Sequence, residues 1–283
     1  MRQVLGELKG HTNKVLFYQQ DQKDPNLFIS AALDEKIIIW DLQKNLVLFQ
    51  KKCENGLPSA IAINYPLYAL SYKKDGKTRI ENVTEKSKSI VLSRNLREVF
   101  FLQFFKEQII VGSHDLNICI WDYKKQIIIK AIQVEPIQEL IQNSYYPEQL
   151  IHISYAGLIK YINFVRMRLE NVFTIRGAYE IQLSNNRFFQ IVTTMGPPAK
   201  FILLNNKNKM LRIYLQKIPS SNCVFSKINN DIFFKKLNLL CQLDIKTQQE
   251  TNIFNLQPDE WIDTLKQGEL LVISQQKLTK IKV

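Results

Sequence analysis

The chain has 283 residues, of which 46% are hydrophobic and 23% are charged, and its formal net charge is +12. This composition is typical of a folded globular protein and argues against disorder, and the length permits one large all-β domain. No apolar run reaches the roughly 18 residues of a membrane-spanning helix, and Met1–Glu7 becomes polar too early for a secretory signal, so we expect neither in this chain.

The cysteine and histidine residues show no metal-ligand spacing. No Cys-x-x-Cys pair occurs and the histidines are scattered, so we expect no metal and no cofactor. Free thiols are typical of a reducing compartment, which predicts a cytoplasmic protein and leaves the nucleus as the alternative. The four cysteines are Cys53, Cys119, Cys223 and Cys241.

The positive charge has two explanations. A basic protein can bind phosphate-bearing partners. Lys, Asn, Ile, Phe and Tyr are all abundant here, however, which is what an AT-rich coding sequence produces. The charge is therefore either functional or compositional.

A two-residue mark recurs along the chain with a step of about forty residues. Its second residue is always Asp or Asn, and a fixed period of this length predicts a repeat architecture whose units pack on their neighbours. The six marks are Trp40-Asp41, Glu81-Asn82, Trp121-Asp122, Ile162-Asn163, Leu204-Asn205 and Leu243-Asp244.

The first unit contains four short runs rich in β-branched and aromatic residues, which predict four antiparallel strands. They are Val15–Tyr18, Leu27–Ala31, Ile37–Asp41 and Leu46–Phe49, and Gly10-His11 precedes them. The Gly-His … Trp-Asp pattern resembles the WD40 repeat, and the third unit repeats its Trp-Asp mark at Trp121-Asp122. The resemblance implies a β-propeller of four-stranded blades.

Counting the units gives seven, and the last unit is one strand short. Its three strands are predicted at 261–265, 270–274 and 278–281, and the unassigned run Gln3–Leu8 is expected to supply the fourth. Pairing the two chain ends in one sheet would remove exposed edges. We therefore predict an all-β, seven-bladed WD40-like β-propeller, closed by pairing of the N-terminal strand with the C-terminal blade, as a single domain over residues 1–283.

Four residues of the first unit contain the ingredients of a Ser-His-Asp catalytic site: His11, Ser30, Asp34 and Trp40. In the WD40 family these positions form a structural hydrogen-bonded tetrad, so the resemblance implies structure instead of catalysis. No Gly-x-Ser-x-Gly elbow surrounds Ser30, and we expect no enzyme activity. The matching positions of the third unit are Asn95, Val111, Asp115 and Trp121, which predicts a broken tetrad there.

Basic residues follow the repeated marks, in the turn before each fourth strand. Propeller geometry would place these turns at one end of the ring, forming a basic rim that could attract phosphate, although solvated lysines are common in such turns. The rim candidates are Lys44, Lys124, Lys125, Arg166, Arg168, Lys207 and Lys246.

The opposite end would collect the loops that enter each blade. Propellers of this class commonly bind peptides or partner domains there, and Arg and aromatic residues are frequent binding hot spots. The candidates are Lys73, Lys74, Arg94, Arg97, His114, Arg176 and Tyr179, with Arg94 and Arg97 beside the Lys73-Lys74 turn as first choice.

The sequence favours a non-catalytic protein–protein interaction scaffold, a WD40-repeat subunit of an intracellular multiprotein complex. We expect other proteins as partners, and nothing indicates a homo-oligomer. One alternative is RNA or ribonucleoprotein binding through the basic rim. Another is phosphoinositide binding as in the PROPPIN family, but Thr174-Ile175-Arg176-Gly177 holds only one arginine of that family's Phe-Arg-Arg-Gly motif, so we do not expect membrane binding.

Overall fold

The structure is a computed structural model. It describes residues 3–85, 89–93, 97–143, 146–183, 189–194, 200–205, 210–215, 223–225, 232–236, 239–244, 247, 249–257, 261–264, 269–273 and 278–282. The chain falls into two compact units. The first is mainly Leu8–Pro136, and the second combines Met1–Glu7 with Ile137–Ser274 and Leu278–Val283.

The described residues form 28 strands in seven four-stranded antiparallel sheets, which is a seven-bladed β-propeller fold. The first strand, β1 (Gln3–Leu8), lies beside the last strand of the chain and completes the seventh sheet. The predicted all-β class and the predicted pairing of the N-terminal strand with the C-terminal blade are both confirmed.

The first unit holds three blades. Blade one contains β2 (Val15–Gln20), β3 (Leu27–Ala32), β4 (Lys36–Asp41) and β5 (Leu46–Lys52). Blade two contains β6 (Ala60–Asn64), β7 (Leu67–Ser71), β8 (Thr78–Asn82) and β9 (Ile90–Leu92). Blade three contains β10 (Val99–Phe105), β11 (Gln108–Ser113), β12 (Asn117–Asp122) and β13 (Ile127–Gln133).

The second unit holds four blades. Blade four contains β14 (Ile137–Gln142), β15 (Gln149–Ser154), β16 (Leu158–Asn163) and β17 (Arg168–Thr174), and blade five contains β18 (Ala178–Leu183), β19 (Phe189–Thr194), β20 (Lys200–Asn205) and β21 (Met210–Leu215). Blade six contains β22 (Cys223–Phe225), β23 (Ile232–Lys236), β24 (Leu239–Leu243) and β25 (Glu250–Asn255), and blade seven joins β1 to β26 (Trp261–Thr264), β27 (Glu269–Ile273) and β28 (Leu278–Lys282).

Apolar side chains fill the spaces between consecutive blades. In the first unit, Ile29 and Ile39 of blade one pack with Ile61 and Leu70 of blade two, and all four are buried. Buried clusters also join blades four and five, five and six, and six and seven within the second unit. Full burial of each such side chain contributes about 1.5–3 kcal/mol, so these clusters are the main source of stability.

The second residue of the recurring mark closes a turn with its side chain. Asp41 Oδ1 accepts the backbone N–H of Lys44 at 2.9 Å, Asp122 Oδ1 that of Lys125 at 3.0 Å, and Asn163 Oδ1 that of Arg166 at 2.9 Å. Asn82 and Asp244 make the equivalent bonds to Thr84 and Thr247. These are Asx-type turns, which explains why the Asp or Asn recurs while its aromatic neighbour does not.

An aspartate six residues before each of the first three marks also closes a turn with its side chain. Asp34, Asp75 and Asp115 each accept the backbone N–H two residues on, at 3.1, 3.0 and 3.3 Å. The residue after each acid has a positive φ of 59 to 66°. In blade four Gly157 occupies this position, with a φ of +78°.

One side chain in the first unit connects three blades. From β2, Gln19 donates its amide N–H groups to Leu102 O at 3.2 Å and Gln103 Oε1 at 3.0 Å, both on β10. Its Oε1 accepts the backbone N–H of Ile63 on β6 at 3.0 Å. All of its bonds therefore join first strands of different blades.

The register irregularities also recur. The first strands of blades one, three, four and five each contain a bulge after their first residue. The described strands of blade two pair in continuous register, and β9 pairs with Thr78, Arg79 and Ile80 of β8. Blade two therefore departs from its neighbours both in backbone and in the Glu that opens its mark.

We predict that Gly157→Ala is more destabilising than Gly56→Ala. Both glycines have a φ near +79°, which costs about 1 kcal/mol for a residue with a side chain. A Cβ at Gly157 would also lie 2.2 Å from Ile175 O, whereas a Cβ at Gly56 would find only Glu35 Oε1 at 3.8 Å. Urea unfolding should show a loss of about 2 kcal/mol or more for Gly157→Ala; equal losses would contradict the close approach.

Candidate functional site

The structure brings together the four residues of the first unit's tetrad. Trp40 Nε1–H on β4 donates to Ser30 Oγ on β3 at 2.8 Å, and the same Oγ lies 2.8 Å from His11 Nε2. His11 Nδ1 lies 3.1 Å from both oxygens of Asp34. Gly10 makes room for this arrangement, because a Cβ there would lie 2.8 Å from Ile38 Cδ1 and 2.9 Å from Trp40 Cη2.

The hydrogen bonds fix the proton positions. Asp34 accepts only, so His11 donates from Nδ1 and its Nε2 accepts from the Ser30 hydroxyl, which in turn accepts from Trp40. Burial lowers the pKa of His11, against the opposing effect of Asp34, and keeps the ring neutral. Burial alone would raise the pKa of Asp34, but the N–H groups of Thr12 and Lys36, together with His11, outweigh it and lower that pKa.

The tetrad's chemistry is that of a structural linkage. Ser30 is 0% exposed, and its oxygen lies within hydrogen-bond distance of both Trp40 Nε1 and His11 Nε2. The chain of bonds ties the segment before β2 to the turn between β3 and β4. It satisfies an indole N–H and a carboxylate that would be costly to bury alone.

The corresponding network in blade three is incomplete. Val111 stands where blade one has Ser30, and Trp121 Nε1 is buried with no hydrogen-bond partner among the described residues. Asp115 instead accepts from Ser113 Oγ at 2.5 Å. Asn95 lies outside the described residues.

Two matched substitutions separate the hydrogen bond from the packing. Trp40→Phe removes an N–H that is bonded, and Trp121→Phe removes one that is not, while each loses a similar volume. We expect Trp40→Phe to lower the free energy of unfolding by about 1–3 kcal/mol more than Trp121→Phe, measured by urea denaturation. A larger loss for Trp121→Phe would show that the blade-one network adds no stability.

The preferred partner-binding residues include neighbours of Glu98, a residue that was not among the candidates from the sequence. Glu98 Oε2 lies 3.0 Å from Lys73 Nζ, and Glu98 O accepts the backbone N–H of His114 at 3.0 Å. Lys74 and Arg97 are exposed and form no ion pair among the described residues. We call Lys73, Lys74, Arg97, Glu98 and His114 the Glu98 cluster.

The cluster has an aromatic base and an excess of positive charge. The His114 ring is exposed and lies 4.9 Å from the Phe100 ring. Of its three cations only Lys73 is paired with the Glu98 carboxylate, so the cluster suits an acidic partner. Arg94 lies outside the described residues. Arg176 is exposed in the turn before β18 and Tyr179 is half-buried on β18, both in the second unit.

Most of the described basic-rim residues are paired with a carboxylate of their own blade. Lys44 Nζ lies 3.5 Å from Asp41 Oδ2, Lys125 Nζ lies 3.6 Å from Asp122 Oδ2, and Arg168 Nη2 lies 3.3 Å from Glu170 Oε1. Lys124 pairs with Glu107. Arg166 is exposed without an ion pair in the described part of the chain. Paired cations attract phosphate less strongly, which weakens the nucleic-acid alternative. Lys207 and Lys246 lie outside the described residues.

A polar cleft of about 500 Å³ lies between blades one and two, where sequence reasoning placed no site. In its lining, Glu81 Oε2 accepts the Tyr68 hydroxyl at 2.5 Å and pairs with Lys51 Nζ at 2.7 Å. Glu81 stands in register opposite Tyr68, as Trp40 stands opposite Phe28 in blade one. In the sequence, the only indication of this cleft was Glu81 in the first position of the second mark. The lining residues are Phe49, Gln50, Lys51, Glu54, Tyr68, Arg79, Glu81, Asn82, Glu85 and Ser89.

Two glutamates, Glu139 and Glu180, lie in the second unit on the first strands of blades four and five. Glu139 Oε2 on β14 accepts the backbone N–H of Ile181 at 3.1 Å. Burial and the nearby Glu180 raise the pKa of Glu139 well above its ordinary value, and the Ile181 bond only partly opposes this. The ionised form of Glu139 is therefore disfavoured by the fold.

Glu139→Gln should stabilise the protein at pH 8 and lose this effect at acidic pH. Because the folded pKa is raised, the stability contributed by the protonated acid is complete below the ordinary value of 4.5 and is lost as pH rises through the folded pKa. An uncharged Gln keeps the bond to Ile181 without that loss. The measurement is the Tm of variant and parent from pH 4 to pH 8.

Glu170→Gln supplies a control of opposite sign. Burial would raise the pKa of Glu170, but Gln149, Asn163 and Arg168 outweigh it and lower that pKa. Its contribution to stability is therefore present at neutral pH and lost on acidification, so Glu170→Gln should destabilise at pH 8. If the difference in Tm between Glu139→Gln and the parent did not change with pH, the raised pKa of Glu139 would be contradicted.

Further features bear on the kind of site. The described residues contain no group of three or more His, Cys, Asp or Glu side chains that could hold a metal ion. In the same part of the chain, no helix has the length and apolar character needed to cross a membrane. Cys53, Cys119 and Cys241 are buried free thiols.

Neither a scan against protein-family models nor a search of curated proteins finds a match to this chain. The seven four-stranded sheets establish the β-propeller fold.

Proposed function

We propose that this protein is a non-catalytic interaction scaffold: a WD40-like propeller that acts as a subunit of an intracellular multiprotein complex. The observation that carries the proposal is the Glu98 cluster, whose exposed cations outnumber its carboxylate. Turns closed by Asp or Asn side chains hold such groups in fixed positions, and rigidly presented loops are a common means of partner selection.

The WD40-like part of the proposal rests on the tetrad. Its four residues have the side chains and the bonding order that the WD40 resemblance implies. The broken network of blade three fits a divergent repeat, since the apolar clusters between blades hold that region without it.

The non-catalytic part rests on the burial of Ser30, the hydroxyl nearest to a catalytic arrangement. The three buried free cysteines are consistent with a reducing compartment, so we propose the cytoplasm, with the nucleus as the alternative. An acidic protein surface is the partner that the charge excess of the Glu98 cluster favours.

Charge reversal at the Glu98 cluster should abolish partner binding. Native purification of the parent protein from the source cell should yield a stoichiometric partner that crosslinks to blades two and three. The Lys74→Glu plus Arg97→Glu variant should lose both the partner and these crosslinks. Reversal of two central charges of a complementary surface costs several kcal/mol, which corresponds to at least a hundredfold loss of affinity.

The matched control is Lys44→Glu plus Lys125→Glu, which reverses two basic-rim charges. This variant should bind the partner as strongly as the parent protein does. Loss of the partner with the rim variant and retention with the cluster variant would overturn the proposal. If the retained partner is RNA and its binding falls steeply with salt, the nucleic-acid alternative takes its place.

A further inference from the structure

The turn between β16 and β17 in blade four carries a run of exposed side chains. All residues from 165 to 172 are exposed, and they lie within 146–183, which the structure describes without a gap. Three of the first five are aliphatic: Val165 is 49% exposed, Met167 44% and Leu169 55%. Single exposed apolar residues are ordinary on a protein surface, but a cluster of them indicates a contact site. We call Val165–Leu169 the blade-four tip.

Blades one and three build the same turn from polar residues. All three turns are closed by the Asx bond of their mark. Both blades have polar side chains at the positions of Val165 and Met167, so the turn itself does not require apolar ones. These polar residues are Gln43 and Asn45 in blade one and Lys124 and Gln126 in blade three.

Met167 has a backbone conformation that its side chain disfavours. Its φ is 54°, the same as that of Asn45 in blade one. Asn tolerates this left-handed region better than most residues with a side chain. Because Met167 is also 44% exposed, packing within the free protein offsets little of this cost. A contact outside the chain would give Met167 the apolar surroundings that its own blade does not.

The tip also carries positive charge. Arg166 is exposed and forms no ion pair in the described part of the chain. The side chain of Arg168 is 58% exposed, and its Nη2 lies 3.3 Å from Glu170 Oε1. Glu170 also accepts hydrogen bonds from Gln149 and Asn163 of the same blade. Two arginines therefore stand beside one carboxylate that its own blade already engages, in a chain of net charge +12.

We propose that the blade-four tip docks on the surface of an anionic lipid bilayer. Its aliphatic side chains enter the boundary between headgroups and acyl chains, and its arginines attract the lipid phosphates. This combination of apolar burial and positive charge is what holds interfacial anchors on membranes. Arginine stems can cover apolar surface while their charged heads stay in water.

The composition of the tip favours lipid over a protein pocket as its partner. Hot spots of protein interfaces are enriched in Trp, Tyr and Arg, whereas Leu and Val are under-represented there. The tip has no aromatic residue, and three of its five residues are Val, Met and Leu. The inference goes beyond the proposed function, because the Glu98 cluster lies in the first unit and takes an acidic protein, whereas the tip lies in the second unit. Each can fail without the other.

The test measures co-sedimentation of the full chain with sucrose-loaded vesicles at physiological ionic strength. Vesicles of equal parts phosphatidylserine and phosphatidylcholine should bind the protein roughly tenfold more strongly than pure phosphatidylcholine vesicles, because each arginine near an anionic surface adds attraction. Absence of binding to the anionic vesicles would overturn the inference. If substitution of the tip removed a copurifying protein instead, the tip would be a protein interface, which also overturns it.

A variant with the turn residues of blade one separates lipid binding from folding. Val165→Gln plus Met167→Asn should bind the anionic vesicles roughly tenfold more weakly, because two apolar side chains no longer leave water. Its Tm should equal or exceed that of the parent, since Asn tolerates the φ at this position. A lower Tm would contradict the argument that the free protein gains nothing from Met167.

The matched control removes two similarly exposed apolar residues elsewhere. Leu33 and Tyr155 are 46% and 65% exposed, and each lies in the turn between the second and third strands, at the other end of its blade. Leu33→Gln plus Tyr155→Gln should leave vesicle binding at the parent level. Equal weakening by the two pairs, or no weakening by the tip pair, would overturn docking through the tip.

Charge reversal tests the arginine contribution. Arg166→Glu should weaken binding to the anionic vesicles about fivefold or more. Lys74→Glu makes the same change of charge in the Glu98 cluster and should have little effect, because salt screens charges that do not touch the membrane. Equal losses would reduce the binding to general attraction and overturn the inference. Since Lys74→Glu belongs to the variant that should lose the protein partner, failure of the scaffold role and failure of membrane docking give different results.

Discussion

The interaction on which the blades depend is a short one: a side-chain oxygen of Asp or Asn that accepts a backbone N–H two or three residues further along. It closes the turn before the fourth strand at Asp41, Asn82, Asp122, Asn163 and Asp244. An aromatic residue before it can be exchanged for any side chain that fills the space, but the turn needs an acceptor on a short stem. The repeat therefore remains recognisable at its turns after most of its tryptophans are gone.

The turns set the shape of each blade, and packing between blades supplies most of the stability. Blade three keeps its strands around a tryptophan whose N–H has no acceptor in the described region, because Trp121 still packs among Leu102, Ile109 and Val111. Blade three therefore keeps its tryptophan packed where its polar network is incomplete. Blade two goes further, since a carboxylate replaces the indole and finds its partners on Tyr68 and on Lys51 of the neighbouring blade.

Period and strand composition were sufficient to predict the blades and the pairing of Gln3–Leu8 with the last strands, because these depend on residues close together in the chain or on a fixed repeat. The sites were less accessible. The pairing of Lys73 with Glu98 and of Lys51 with Glu81 joins different blades, at sequence distances that no local pattern reports. The sequence indicated that the rim lysines could attract phosphate, but it did not show that carboxylates such as Asp41 and Asp122 pair with them.

Gln19 gives the first unit a mechanical property that its repeats alone would lack. In stacked repeats each unit touches only its neighbours, and the array can fray from an end. Here a single amide holds β2 to both β6 and β10, so peeling blade one away strips partners from blades two and three in the same event. One side chain therefore links all three blades directly, which contacts between adjacent repeats alone would not do.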